Sequence, residues 1–382
     1  MELRIPFCSP SELTVASGTT VGSLEERPAD NDHRRTPTTG LRTPPSPIPL
    51  GHTRQLLANI SRQHVLAGGA WTQQQRWIMT SGFRCSLDSG RTHLARQGVI
   101  DPYTGESFSI WSCDRFGLGQ TVARPDDIGR YYAPDYHGDR HGASGGLANR
   151  RRLGFVSRTV GPADGRRLID IGCGNGSFME AARHGDWEVA GTALNPLDAR
   201  ARGLPVQPTI DQLEDFALVD VATLWHSLEH IPDPAPMIRS VRSILKPHGI
   251  IVIAVPNLAS LQSRATASSW LHLDAPRHLY HFTRSSITAL LEREHFEVLR
   301  SWNLELEYDQ VGWLQSFLTP LTRGRTPFFD VLTHRARRFT RDARLANPAA
   351  GIALSASVAP SVRFTTRAGN GPTFIVAAQL RS

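Results

Sequence analysis

Three short stretches of this 382-residue chain hold side chains whose type and spacing suit chemistry. Asp170 lies in Leu168-Ile169-Asp170-Ile171-Gly172-Cys173-Gly174-Asn175-Gly176. His226, Glu229 and His230 share His226-Ser227-Leu228-Glu229-His230, and His278 and His281 lie in Arg277-His278-Leu279-Tyr280-His281. The first stretch suits binding. A short apolar run reads as a buried strand, and the glycines after it let a ligand lie against main-chain N–H groups at the positive end of a following helix. The spacing is not that of a dinucleotide site: the third glycine, Gly176, falls one residue early, and Ser177 occupies the G-x-G-x-x-G position. Asp170, two residues before Gly172, is placed to face a cationic amine. The second and third stretches suit proton transfer, because histidine titrates near neutrality.

His226-Ser227-Leu228-Glu229-His230 also has the form of an inverted zinc-peptidase signature, which needs one continuous helix to bring both histidines to one face. Here the stretch follows an apolar β-run and stops at Ile231-Pro232-Asp233-Pro234, and proline breaks a helix interior. The peptidase chemistry is therefore set aside. An accessory metal at His226, Glu229 and His230 is the less favoured alternative, and no metal is assigned. Glu229 and His230 are expected chiefly to tie the loop that follows, although His230 stays among the catalytic candidates with His226 and His278. Cys8, Cys85, Cys113 and Cys173 are too few and too scattered for a disulfide framework, which favours a reducing compartment. A zinc ribbon would want a second cysteine where Phe116 stands and another pair near Cys85, and two thiolates do not close a tetrahedral site.

Strand and helix patterns alternate around these stretches. Strands are expected near Leu168–Ile171, Trp187–Thr192, Pro205–Gln207, Val219–Leu224, Gly249–Val255, Phe296–Leu299 and Thr373–Ala378. Helices are expected near 147–160, from Ser177, and over Leu197–Arg202, Met237–Leu245 and Ile287–Glu294. This alternation predicts an α/β fold with a doubly wound, mostly parallel sheet. The Gly249–Val255 run is apolar throughout, as a strand covered on both faces should be. Residues 1–52, rich in proline, serine and threonine, cannot bury enough surface to offset their ordering entropy and read as a disordered tail. Residues 53–141 form a small, irregular, ribbon-like region with one clear strand, Phe108–Ser112, and an aromatic segment at Tyr131–His137. A glycine-rich hinge at Gly142–Gly146 opens the main domain, 142–382, which carries an insertion at about 312–369 before the last strand.

Basic residues exceed acidic ones by seven, but among the 42 only Lys246 is a lysine. No basic stripe with interleaved aromatics stands out, so a nucleic-acid partner is not expected. The N-terminus lacks a basic segment followed by an apolar one, and no run reaches the roughly 18 apolar residues that span a bilayer. A cytoplasmic location is expected.

Four blocks, in order, resemble the class I S-adenosylmethionine-dependent methyltransferases of the ubiquinone-biosynthesis group. They are Leu168–Gly176; Thr223–Pro234; Leu245-Lys246-Pro247-His248-Gly249 with Val255-Pro256-Asn257; and Leu273–Thr283. The resemblance covers about 165–300. It implies a seven-stranded Rossmann-like sheet whose last strand is antiparallel, with S-adenosyl-L-methionine across the carboxyl ends of the first strands. By that likeness the cofactor would meet Asp170, Gly172, Cys173, Gly174, Gly176, Ala193, Asn195 and Trp225, and His226 would lie beside the reactive methyl. The region before the domain looks like a degraded cysteine ribbon, with Cys113 kept and its partner replaced by Phe116. Ala193 departs from the pattern, since the family places there an acid that accepts hydrogen bonds from the ribose. Losing such a pair would cost on the order of 1.5–3 kcal/mol per bond, for which Asn195 or Asp198 are the local substitutes.

The sulfonium brings its own leaving group, so such a protein aligns an acceptor and, for a hydroxyl, removes a proton. His226, at a strand's carboxyl end, ranks first as base. Trp270–Thr283 is expected to wall the acceptor site. Trp313–Leu318 is a candidate contact with a lipid-like acceptor at a membrane surface. The expected acceptor is a small molecule, a lipid-linked quinone or a sugar. The alternative is a non-catalytic methyltransferase-like interaction domain with weakened cofactor binding.

Overall fold

The computed structural model describes residues 85–132, 145–303, 306–326 and 369–381, a few positions within them excepted, and isolated positions between 329 and 364. Contacts divide the chain into Met1–Gly69, outside the described residues, and Ala70–Ser382, to which everything below belongs. The tail at 1–52, most of the Tyr131–His137 segment, the first residues of the Gly142–Gly146 hinge and most of the 312–369 insertion also lie outside.

The centre is a seven-stranded sheet built from β4 (Arg167–Ile171), β5 (Glu188–Thr192), β6 (Val206–Gln207), β7 (Val219–Trp225), β8 (Leu245–Pro256), β10 (Phe296–Trp302) and β11 (Thr373–Leu380), in the order β10-β11-β8-β7-β4-β5-β6. Pairing is parallel from β6 to β8, and β11 runs antiparallel to both neighbours. This is the α/β sheet that the alternating pattern and the family likeness predict. Ile250–Val255 of β8 and Phe374–Ala378 of β11 are buried residue after residue, because helices cover both faces. Each such aliphatic side chain contributes about 1.5–3 kcal/mol of burial.

The covering helices are α1 (Gly145–Val160), α2 (Ser177–His184), α3 (Leu197–Ala201), α4 (Pro234–Ile244), α5 (Leu261–Thr266), α6 (Arg284–Arg293) and α7 (Leu306–Leu318). Local chemistry starts them where the site needs them. α4 begins at Pro234 with Asp233 as its N-cap residue, so the prolines that forbid a helix through His226–Pro234 serve to open the next one. α6 starts from a capping box in which the Thr283 hydroxyl and Ser286 satisfy each other's backbone N–H. The Thr283 hydroxyl also donates to the Phe116 carbonyl at 2.6 Å, tying an early loop to this helix.

That early loop belongs to a second sheet. β1 (Thr92–Ile100), β2 (Ser107–Cys113) and β3 (Gly119–Val122) form an antiparallel meander, and β3 pairs with β9 (Tyr280–His281). The sequence showed only β2, where apolar and polar residues alternate. β1 carries two register irregularities and mixed burial, and β3 has four residues, so neither has a clear period. Arg277 ties the β8–β9 loop to the antiparallel sheet. Its fully buried guanidinium lies 2.7 Å from Asp101, donates to the Tyr131 carbonyl at 3.0 Å and reaches Asp274 at 2.6 Å.

Candidate active site

The carboxyl ends of β4, β5, β7 and β8 and the loops after them bound two adjoining cavities. The first, of about 410 Å³, is lined by Asp170, Gly172, Cys173, Gly174, Ala193, Asn195, Trp225, His226 and His230, all predicted site residues. Gly172 has φ +75°, and a Cβ there would come within 2.6 Å of the Ser227 side chain. Gly174, at φ +57°, would meet nothing within 4 Å, so its bareness opens onto the cavity. Gly176 is not in the lining. It caps α2, and a Cβ there would strike Leu204 and Ala199, so this glycine serves packing.

Asp170 is 3% exposed and its carboxylate accepts 2.7 Å from the Thr223 hydroxyl. Burial raises its pKa to about 7, against the Thr223 bond and the nearby Arg152 charge, which lower it. Arg152 of α1 also lies 5.2 Å over the Trp225 ring, whose far side meets Phe178 edge-on at 5.3 Å. Burial pushes the Cys173 thiol up, which keeps it protonated. Arg152, Phe178, Thr192 and Thr209 complete this wall without having been singled out in the sequence, and Tyr132 of the aromatic segment joins them. No local signal marked Arg152, one of several arginines on α1, because its burial arises only in the fold.

The second cavity, about 430 Å³, is lined by His226, Glu229, Asp274 and His278, by Trp270–His272, and by residues of β1 and the loop after α7. His226 lines both cavities. It sits at the turn ending β7 with φ +52°, held by its N–H to the Ala254 carbonyl, and its Nδ1 lies 3.4 Å from Glu229 Oε1. Residues 228–230 form a single 3₁₀ turn, so His226 and His230 do not share the helix face a zinc peptidase requires.

Glu229 was expected to tie its loop. Its backbone carbonyl does, accepting from Leu279 N at 2.8 Å, but its side chain is 1% exposed and neither oxygen makes a hydrogen bond. His226, His278 and His230 surround it. Burial would raise its pKa, but these imidazoles outweigh burial and hold it at about 2. His278 Nδ1 donates to the His272 carbonyl, 2.9 Å away, which fixes Nδ1 as a protonated nitrogen and turns Nε2 toward Glu229 at 3.9 Å. Burial lowers the His278 pKa. His230 does tie the loop, with Nδ1 3.0 Å from the Arg277 carbonyl, and its ring packs edge-on to His278. Ligand atoms of Glu229, His230 and His278 lie within 4.8 Å of one another, a spacing that can hold a metal ion.

His281 leaves the candidate set. Its Nε2 lies 2.9 Å from the Thr121 hydroxyl, which itself donates to the His278 carbonyl; burial drops its pKa to about 3, and it lines neither cavity. It is a structural link between β3 and β9.

Residues 147–301 match the family model described as a methyltransferase domain. The chain is similar to the ubiquinone biosynthesis O-methyltransferase of Actinobacillus pleuropneumoniae serotype 7, with 31% identity over 127 residues, 29% of this chain and 54% of that protein. The enzyme of the same name from Bordetella bronchiseptica is 32% identical over 121 residues, 28% of this chain and 50% of that protein. The chain thus spans about half the length of these curated relatives. A solved S-adenosylmethionine-dependent methyltransferase structure from Archaeoglobus fulgidus aligns with TM-score 0.38 at 19% identity, over 63% of this chain and 96% of that one. The matched residues carry β4–β8, the glycine turn and most of β10, so this part of the chain is similar to a methyltransferase domain.

Proposed function

We propose that this protein transfers a methyl group from S-adenosyl-L-methionine, held in the first cavity, to a hydroxyl of a small-molecule acceptor held in the second. The observation that carries this is the position of His226, the imidazole shared by both linings. The first cavity suits the cofactor. Its volume falls in the usual range of small-molecule sites, about 300–1,000 Å³. Gly174 leaves open space, Asp170 offers a buried carboxylate to an ammonium, and Trp225 Nε1 is buried with no hydrogen bond. Asn195 and Asp198 line the side where Ala193 replaces the usual acid. When bound, the cofactor supplies an electrophilic methyl on a sulfonium.

The chain's own residues then act on the acceptor. Glu229 beside Nδ1 of His226 favours the tautomer protonated there, which frees Nε2 to take the acceptor proton. His278 and Trp270 wall the acceptor. A lipid-linked quinone or a sugar fits the same scheme. Phe317 and Leu321, 55% and 80% exposed beside the Thr319–Pro320 edge of the second cavity, support contact with a membrane surface by a cytoplasmic protein. Among the described residues no helix is long and apolar enough to cross a membrane.

The buried Ala193 supports a second reading, an interaction domain that has lost cofactor binding. Isothermal titration with S-adenosylhomocysteine decides between them: saturable binding supports the enzyme, and no heat at high micromolar ligand favours the interaction domain. A screen of hydroxylated acceptors with radiolabelled methyl donor then tests transfer itself.

A further inference from the structure

The second cavity is not built by the family-matched residues alone. Gly98, Val99 and Ile100 of β1, with Pro102 and Tyr103 of the turn that leads to β2, belong to its lining, and all of them precede residue 147, where the match begins. Asp101 gives that turn its shape. Its carboxylate accepts from the Thr104 N–H and hydroxyl, both at 2.8 Å, and its carbonyl accepts from Gly105 N at 2.9 Å. The other carboxylate oxygen meets Arg277 at 2.7 Å. Further ties run along β1. Arg96 donates to the Ser263 hydroxyl at 3.3 Å, the Ser268 hydroxyl donates to the Gln97 carbonyl at 2.6 Å, and Gly324 sits so close to Ile100 that a Cβ there would come within 2.7 Å of it. A strand end fixed at this many points holds its side chains in place as a wall.

Two aromatic rings of the lining are locked. Trp270, 2% exposed, donates its Nε1 to Gln262 at 2.8 Å. Tyr103 has the Arg277 guanidinium 5.1 Å from its ring centroid and is only half-buried, so it presents the larger surface. A ring held in this way favours a flat partner, because offset or edge-on packing of two rings adds to the area buried, while a puckered ring gains the area alone.

We infer that the β1–β2 turn sets acceptor selection, with Tyr103 as the specificity residue: its ring takes a planar ring bearing the hydroxyl in preference to a puckered one. This rests on the methyltransferase reading and narrows its acceptor class, away from sugars and toward flat rings. It also gives the antiparallel sheet a task, that of supplying one wall of the acceptor site.

The test uses the full chain saturated with S-adenosylhomocysteine. Two probes of the same substitution, 4-methylcatechol and 4-methylcyclohexane-1,2-diol, are titrated calorimetrically into it. The flat probe should bind at least about fivefold more tightly. In Tyr103→Leu, checked for folding by its thermal transition and for unchanged S-adenosylhomocysteine affinity, that preference should shrink by about threefold or more, and in Tyr103→Phe it should stay within about twofold of the native value. Tyr103→Met replaces Tyr103→Leu should the latter not fold. A smaller preference in the native protein, binding of neither probe, an unchanged preference in a folded Tyr103→Leu or Tyr103→Met, or failure of both to fold overturns the assignment. Absence of S-adenosylhomocysteine binding by the native protein instead sinks the methyltransferase reading, so the two failures are told apart.

Discussion

Asp170 shows what a binding carboxylate costs before its ligand arrives. Its folded pKa of about 7 stands above the ordinary 3.8. The folded state therefore holds a proton that the unfolded chain releases between those values, and stability of the ligand-free protein falls as pH rises through that window. At about 1.4 kcal/mol per unit the loss is on the order of 4 kcal/mol, complete above pH 7. Asp170→Asn should accordingly raise the ligand-free unfolding midpoint at pH 8 while weakening S-adenosylhomocysteine binding, and binding by the native protein should tighten as pH rises from 6 to 8. Denaturant titration and calorimetry at both pH values check this; a destabilised Asp170→Asn would show that the carboxylate is compensated without ligand. The opposite change is open at Ala193, where Ala193→Asp should tighten S-adenosylhomocysteine by about tenfold if the acid regains its ribose bonds. His226→Ala should lower kcat on the order of 10²–10³-fold and leave the S-adenosylhomocysteine Kd within about threefold, because it removes a proton acceptor and no cofactor contact of comparable strength.

At the level of elements, the fold was legible where a period was strong and obscure where side chains meet across the sequence. β4, β5, β7 and β8 announce themselves as apolar runs, the glycine turn marks the start of α2, and Pro232 and Pro234 rule out a helix through His226. The glycine turn also gave one wall of the first cavity. The pairing of β3 with β9 was not readable, since Gly119 and Gln120 meet His281 and Tyr280 across some 160 positions with no local signal. The role of Glu229 was hidden for the same reason: the imidazole of His278 beside it arrives from a distant loop. Arg277 is the joint that brings these parts together, and its contacts define an element-scale prediction. Removing one member of a fully buried ion pair strands the other charge, at about 3–5 kcal/mol. Arg277→Met should thus lower stability by that amount in urea, while Asp101→Asn, which keeps an acceptor for the guanidinium, should cost less.

Across the whole unit, two sheets of different pairing share connections rather than a linker. β9 lies between β8 and β10 in sequence yet belongs to the antiparallel sheet, Thr283 ties Phe116 to α6, and Arg277 crosses from the β8–β9 loop to Asp101 and Tyr131. Opening either sheet would tear out contacts of the other, so Ala70–Ser382 should unfold in one step. The first cavity is walled by β4, β5 and β7 of one sheet and by Tyr132, next to the carbonyl that Arg277 holds. A ligand there should consequently stabilise both sheets together. At S-adenosylhomocysteine one hundredfold above its Kd the gain is about 2.7 kcal/mol, which for a unit of this size moves Tm by roughly 4 °C. Scanning calorimetry with increasing ligand should show one transition moving as a whole. Two transitions, of which only the later moves with ligand, would mean that the antiparallel sheet is an independent appendage and that the Arg277 joint does not couple it to the cofactor domain.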